Sequence, residues 1–201
     1  MSRALPRPPR RITPGDFYAT YLPSVWDAYA EGLPELLWRI GAEIHIEGTG
    51  PFWVGMDQGK LLGGEGPTES PVARIRCDRA SWELMSLDLW PRIVRWLNSR
   101  LDESRKKAEV FLRTRAPAVD LQKLSDQPGN ILFHLVDDAG DEARFHVTLG
   151  SGQGPETTVK VTERDLWTLL EGSRLSSFLK SRVEVEGNLA YLLALTRVIE
   201  G

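Results

Sequence analysis

The chain has a single cysteine, Cys77, so no disulfide can form within it. A lone thiol fits a reducing compartment, and a cytoplasmic location is expected. Only three histidines are present, and no cysteine or carboxylate stands at a spacing that would complete a metal shell around them. Neither a metal nor another cofactor is expected. No apolar run reaches the roughly 18 residues needed to span a bilayer. An excess of one charge is also missing: 25 Lys+Arg against 28 Asp+Glu leave −3 at pH 7, too balanced for a dedicated nucleic-acid surface. The glycine-rich stretches GGEGP and GSGQGP lack the lysine and the serine or threonine of a phosphate loop, and they read as turns between strands. No nucleophile sits with a base, so no enzymatic activity is expected. Cys77 reads as a buried or half-buried thiol.

Against these absences stands ordinary globular material. Hydrophobic residues make up 41% and charged residues 26%, as in one large or two small folded domains. Met1–Ile12 is rich in proline and arginine and has no apolar signal core behind it. It reads as a mobile tail, or alternatively as a docking or phospholipid-touching arm. Thr13-Pro14-Gly15-Asp16 has capping-box spacing with proline at the first helical position. A helix should start there with Phe17, Tyr18, Tyr21 and Leu22 on its apolar face, and should break or restart at Pro23 with Ser24 as the next cap. Leu33, Leu36, Leu37 and Ile40 continue the helical spacing up to Gly41, a candidate C-terminal glycine.

Period-two text follows. Ile44 and Ile46 alternate with Glu43, His45 and Glu47; Pro51–Met56 reads as a second strand and Val72–Cys77 as a third. Asp78 can cap a helix carrying Trp82, Leu84 and Met85. Trp90, Ile93, Val94, Leu97 and Leu101 form a helical stripe extended by Ala108, Phe111 and Leu112, as one long helix or two abutting ones. Its other face carries Arg92, Arg95, Arg100, Arg105, Lys106 and Lys107: a solvated face, or one for lipid headgroups or a partner. Asn130–Val136 and Ala143–Leu149 form a hairpin. Pairing residues whose numbers sum to 280 sets Leu135 opposite Phe145, Phe133 opposite Val147 and His134 opposite His146. Thr157–Val161 is the next strand, Thr162 and Asp165 have capping-box spacing, Val183 and Val185 mark a last strand, and Asn188 can cap a final helix.

The two halves share one order of elements. GAEIHIEG compares with GNILFHLVDD, FWVGMDQG with FHVTLGSG, and Arg79–Leu84 with Arg164–Leu169, keeping Arg, Trp and Leu. After Trp82 the first half continues as a helix where the second has the RVEVEG strand. The expected organisation is a tail over 1–12, a degenerate unit over 13–101 and a second unit over 102–201.

The stretch TTVKVTERDLWTLLEG followed by FLKSRVEVEGNLAYLLAL (Thr157–Gly172 and Phe178–Leu195) resembles the lipid-binding domain of the type-2 sterol carrier protein family. The resemblance covers Ala108–Gly201 best and Asp16–Leu101 weakly. It implies an α/β (α+β) fold with small curved, mostly antiparallel sheets covered by helices around an apolar tunnel, here in two degenerate copies. By the same resemblance Trp167, Leu170, Phe178 and Val183 would line the tunnel, and Leu189, Leu192 and Leu193 would close it. Ser181 departs from the family's usual glycine, and Phe145-His146-Val147 from its frequent tryptophan.

The expected function is non-catalytic binding or transfer of a lipid or other hydrophobic small molecule by a bacterial-type soluble protein. Transient membrane contact, a homo-oligomer or a protein partner are compatible with this, and nucleic acid is not. The alternative is a protein-interaction or scaffold subunit with a filled core of the same fold; an enzyme accessory domain for lipophilic substrates is the third. Of the seven tryptophans, Trp96 lies off the apolar stripe beside Arg92 and Arg95 and suits a subunit or membrane interface.

Overall fold

In the computed structural model, which describes residues 4–9, 11–35, 39–114, 116, 119–171 and 174–200, helices pack on one eight-stranded, mostly antiparallel open sheet. The strands are β1 Ile40–Ile46, β2 Pro51–Asp57, β3 Lys60–Glu65, β4 Ala73–Cys77, β5 Gly129–Val136, β6 Glu142–Leu149, β7 Glu156–Thr162 and β8 Glu184–Gly187. Their order is β3-β2-β1-β4-β6-β5-β7-β8. In each half the first strand lies between its antiparallel hairpin partner and a later parallel strand: β2-β1-β4 in one, β6-β5-β7 in the other. The antiparallel β4–β6 pair joins the halves. β3 and β8 are the two edges, and neither has a counterpart in the other half.

Alternation sorts the side chains onto two faces. Ile44 lies opposite Phe52 and Ile75, Ile75 opposite Val147, and Val147 opposite Ile131. These residues, with Phe133, Phe145 and Val159, face the helices. The other face carries Glu43, His45, Arg74, Arg76, Arg144, His146 and Lys160; Arg76, Arg144, His146 and Lys160 are exposed there.

The helices begin where their caps require. Thr13 Oγ1 accepts from the Asp16 backbone N–H at 3.1 Å and starts α1, Pro14–Asp16. A π-helical segment, Phe17–Tyr21, runs into α2, Leu22–Ala30. Pro23 therefore does not interrupt the helix; it sits in the first turn of α2, just after the wider turn. Ser24 is not a cap, because its hydroxyl donates to the Tyr21 carbonyl at 2.7 Å.

The helix stops at Ala30, short of the expected run to Ile40. Gly32 has φ +81, and Pro34 disfavours helical backbone at Leu33. Ile40 and Gly41 belong to β1, while Leu36, Leu37 and Trp38 lie outside the described residues.

Asp78 accepts from the Ser81 N–H at 2.6 Å and caps α3, Arg79–Glu83, which passes through a π-helical Leu84–Leu89 into α4, Trp90–Ser99. Arg100, at φ −133, breaks α4 from α5, Leu101–Thr114. A short 3-10 turn, Leu121–Leu124, precedes β5. Thr162 and Asp165 form the full capping box of α6, Glu163–Leu170. α7, Leu175–Ser181, follows, and Asn188 Oδ1 accepts from the Tyr191 N–H at 2.9 Å to start α8, Leu189–Glu200.

Three further features depart from the sequence reading. The glycine-rich stretch after β2 holds a strand, β3, as well as a turn. A Cβ at Gly63 would stand 2.2 Å from the Tyr18 carbonyl oxygen, so glycine lets the first helix lie against this edge. The β5–β6 hairpin is offset by two residues from the expected register, with Phe133 opposite Phe145, Leu135 opposite Ala143 and His134 opposite Arg144. A two-residue offset keeps every side chain on its face. Asp137 sets it: its Oδ1 accepts from the Ala139 and Asp141 N–H groups, and its own N–H donates to the Asp141 carbonyl.

The N-terminal segment, read as mobile, is docked where it is described. Leu5 is 3% exposed, donates its N–H to Asn98 Oδ1 at 2.7 Å and accepts from Asn98 Nδ2 at 3.1 Å. The Tyr21 hydroxyl donates to the Pro6 carbonyl, and Ile12 is buried. A side-chain amide thus meets the backbone groups that proline-rich chain cannot pair in a sheet.

Two buried clusters result, one around Phe17, Ile44, Phe52 and Trp82, the other around Ile131, Val159, Phe178 and Leu192; Phe145 packs against both. An ion pair also ties them, from Arg92 on α4 to the buried carboxylate of Glu163 on α6, at 2.6 Å.

Candidate functional site: an apolar cavity at the seam

The two clusters do not close on each other completely. Between them lies a cavity of about 410 Å³, within the range of small-molecule sites. Its floor is the middle of the sheet: Ile44 and Val54 from the first half, Ile75 and Cys77 on β4, Phe145 and Val147 on β6. Phe133, Leu135 and Val161 extend it into the second half, together with part of His134. The roof is thin, with Tyr18, Met85 and Leu166 each reaching in from a different helix.

The roof has a local cause. Tyr18 and Met85 stand in the two π-helical segments, where an extra residue per turn widens the helix. Leu166 is held by the capping box of α6. Ile75, Phe133, Phe145 and Val147, on the central strands β4, β5 and β6, face the helices yet are only half-buried, whereas Ile44, Ile131 and Val159 around them are buried. The sheet therefore lacks full helical cover at these four positions.

Among the described residues, no lysine, arginine, aspartate or glutamate borders the cavity. Burial, followed by the neighbouring Cys77, raises the Tyr18 phenol above the usual tyrosine range. Burial, followed by Asp78, pushes the Cys77 thiol up to about 11. Both groups are uncharged at neutral pH, and Cys77 is a thiol with little thiolate. His134 Nε2 lies 3.0 Å from a Glu142 carboxylate oxygen, but not in hydrogen-bond geometry. It does not face His146, which lies opposite Leu132.

The residues carried over from the family resemblance lie elsewhere. Trp167, Leu170, Phe178, Val183, Leu189, Leu192 and Leu193 do not border this cavity. Phe178 and Leu192 are core, Val183 packs against that core, and Leu193 is half-buried. Leu170 and Leu189 are exposed at 39% and 37%. The Trp167 indole donates to Glu163 at 3.3 Å and its ring rests on Trp96, 6.2 Å away between centroids. Trp96 in turn lies under the Arg100 guanidinium, so that indole is spent inside the chain.

Sequence reading missed the cavity because its lining comes from both halves. The available signal was the run of inward-facing aliphatic residues on β4 and β6, the two strands that meet. Among the described residues, no helix is long and apolar enough to cross a membrane. No protein-family model, curated protein or solved structure matches the chain.

Proposed function

We propose that the chain binds a hydrophobic small molecule, such as a lipid, in the cavity at the seam of its two halves, and holds or transfers it without breaking a bond. The observation that carries this reading is an apolar space of about 410 Å³ in the middle of the sheet, with no lysine, arginine, aspartate or glutamate among its described lining residues. A ligand filling it would remove roughly 250 Å² of apolar surface from water, on the order of 6 kcal/mol before ordering costs. That sets a limit of some tens of micromolar on the Kd, which ordering costs can only weaken.

The tunnel expected within the C-terminal unit alone moves, in this proposal, to the boundary. The matching strand orders of the halves support a duplication in which two sterol-carrier-like units share one sheet and one ligand space. A scaffold with a filled core is the weaker reading, since the centre is not filled. The test is titration with N-phenyl-1-naphthylamine, a neutral fluorophore. Saturable, blue-shifted emission at one site per chain supports the proposal, and a linear, non-saturating response refutes it.

A further inference from the structure

The cavity wall is apolar apart from Tyr18, Cys77 and His134. Tyr18 and Cys77 share their buried cluster with Trp82. Tyr18 is held from both sides, its ring stacked on Phe52 at 5.7 Å and met edge-on by Phe17 at 5.3 Å. Trp82 is 1% exposed, and its Nε1–H is buried without a hydrogen-bond partner. A buried donor left in that state is costly.

The Tyr18 phenol and the Cys77 thiol, both on the wall, can each donate a hydrogen bond. What is missing is an acceptor. A carboxylate could supply one, but among the described residues the wall offers it no lysine or arginine, and its histidine, His134, already lies beside the Glu142 carboxylate; burying an unpaired charge is far less favourable than burying a neutral oxygen.

Resting on the proposed binding role, we infer that the ligand is an uncharged amphiphile: an apolar body with one neutral acceptor oxygen, as in a lipid alcohol, ketone or ester, seated against Tyr18. Fatty-acid anions are excluded by the same wall. Tyr18 sets the specificity and does no chemistry.

The matched probes are decanol, methyl decanoate and decanoate, each competing with N-phenyl-1-naphthylamine at pH 8. The two neutral compounds should displace the fluorophore at concentrations at least tenfold below decanoate. Lowering the pH toward the carboxylic acid's own pKa should close that gap. Tyr18→Phe should weaken decanol about fivefold, each competition being referred to the variant's own fluorophore affinity. If decanoate at pH 8 competes as well as decanol, the ligand class is wrong while the binding role stands. Equal affinity of decanol for wild type and Tyr18→Phe overturns the part given to Tyr18. Failure of the fluorophore itself to bind removes the binding role, and the ligand class with it. The wild-type competition needs no variant, so a misfolded Tyr18→Phe protein does not shield the inference.

Discussion

Val147 stands at the centre of the sheet on β6, between Ile75 of β4 and Ile131 of β5, with its side chain on the cavity floor. Val147→Phe adds four carbons into that space. At about 0.8 kcal/mol per buried methylene, complete burial would set a ceiling near ~3 kcal/mol. Imperfect fit in an irregular space leaves about 1–2 kcal/mol, which for a chain of this size is a rise in Tm of roughly 3–6 °C. Binding should move the other way. Losing about 60 Å² of ligand contact costs on the order of 1.5 kcal/mol, so fluorophore affinity should fall roughly tenfold. Differential scanning calorimetry and the fluorescence titration read the two effects on one sample. A core already filled gives the opposite sign in the first assay, because extra carbons in close-packed surroundings destabilise by about 1–3 kcal/mol. A lower Tm with unchanged binding would refute the cavity.

Leu170→Trp places an indole on an exposed position of α6, outside the cavity. Fluorophore affinity should stay within about twofold of wild type, and a loss beyond about fivefold would put the site back in the C-terminal half. Glu43 is held below the usual carboxylate range, first by its hydrogen bond with His45 at 2.6 Å and then by the Thr68 N–H, against the opposing effect of burial. A folded-state pKa below the unfolded value gives stability that is present above the unfolded pKa and lost as pH falls through the folded one. Glu43→Gln should therefore be less stable than wild type at pH 7, and the difference should shrink steadily below about pH 4.5 in urea melts. A difference that does not change with pH contradicts the assignment.

Local signals proved readable. Thr13, Asp78, Thr162 and Asn188 were legible as caps because each needs only its own side chain and the N–H two or three residues on. The alternation that placed Ile44, Phe133 and Val147 on one face also survived, since a strand's faces are fixed by period alone. Register was less legible. Apolar residues alternate equally well two positions away, and the choice fell to Asp137, whose carboxylate organises the turn.

What the sequence did not reveal was contact between distant segments. β3 takes glycine at position 63 because the Tyr18 carbonyl lies against it, and Leu5 is ordered because Asn98, 93 residues away, meets both of its backbone groups. The site is the extreme case. Its floor and roof come from segments scattered from Tyr18 to Leu166, and Trp, Leu and Phe at helical spacing look the same whether they meet each other or leave a gap. Trp167 had the right residue type and the right neighbourhood, yet its ring turned to Trp96 and its N–H to Glu163.

Xenon enters apolar voids and avoids filled ones, so a crystal of the chain pressurised with the gas inspects the interior with no assumption about ligand. The expected result is a xenon peak between Tyr18, Ile75, Phe133 and Val147, where the two halves join. Side chains meeting across that join, with no xenon among them, would leave a solid protein and no place for a guest.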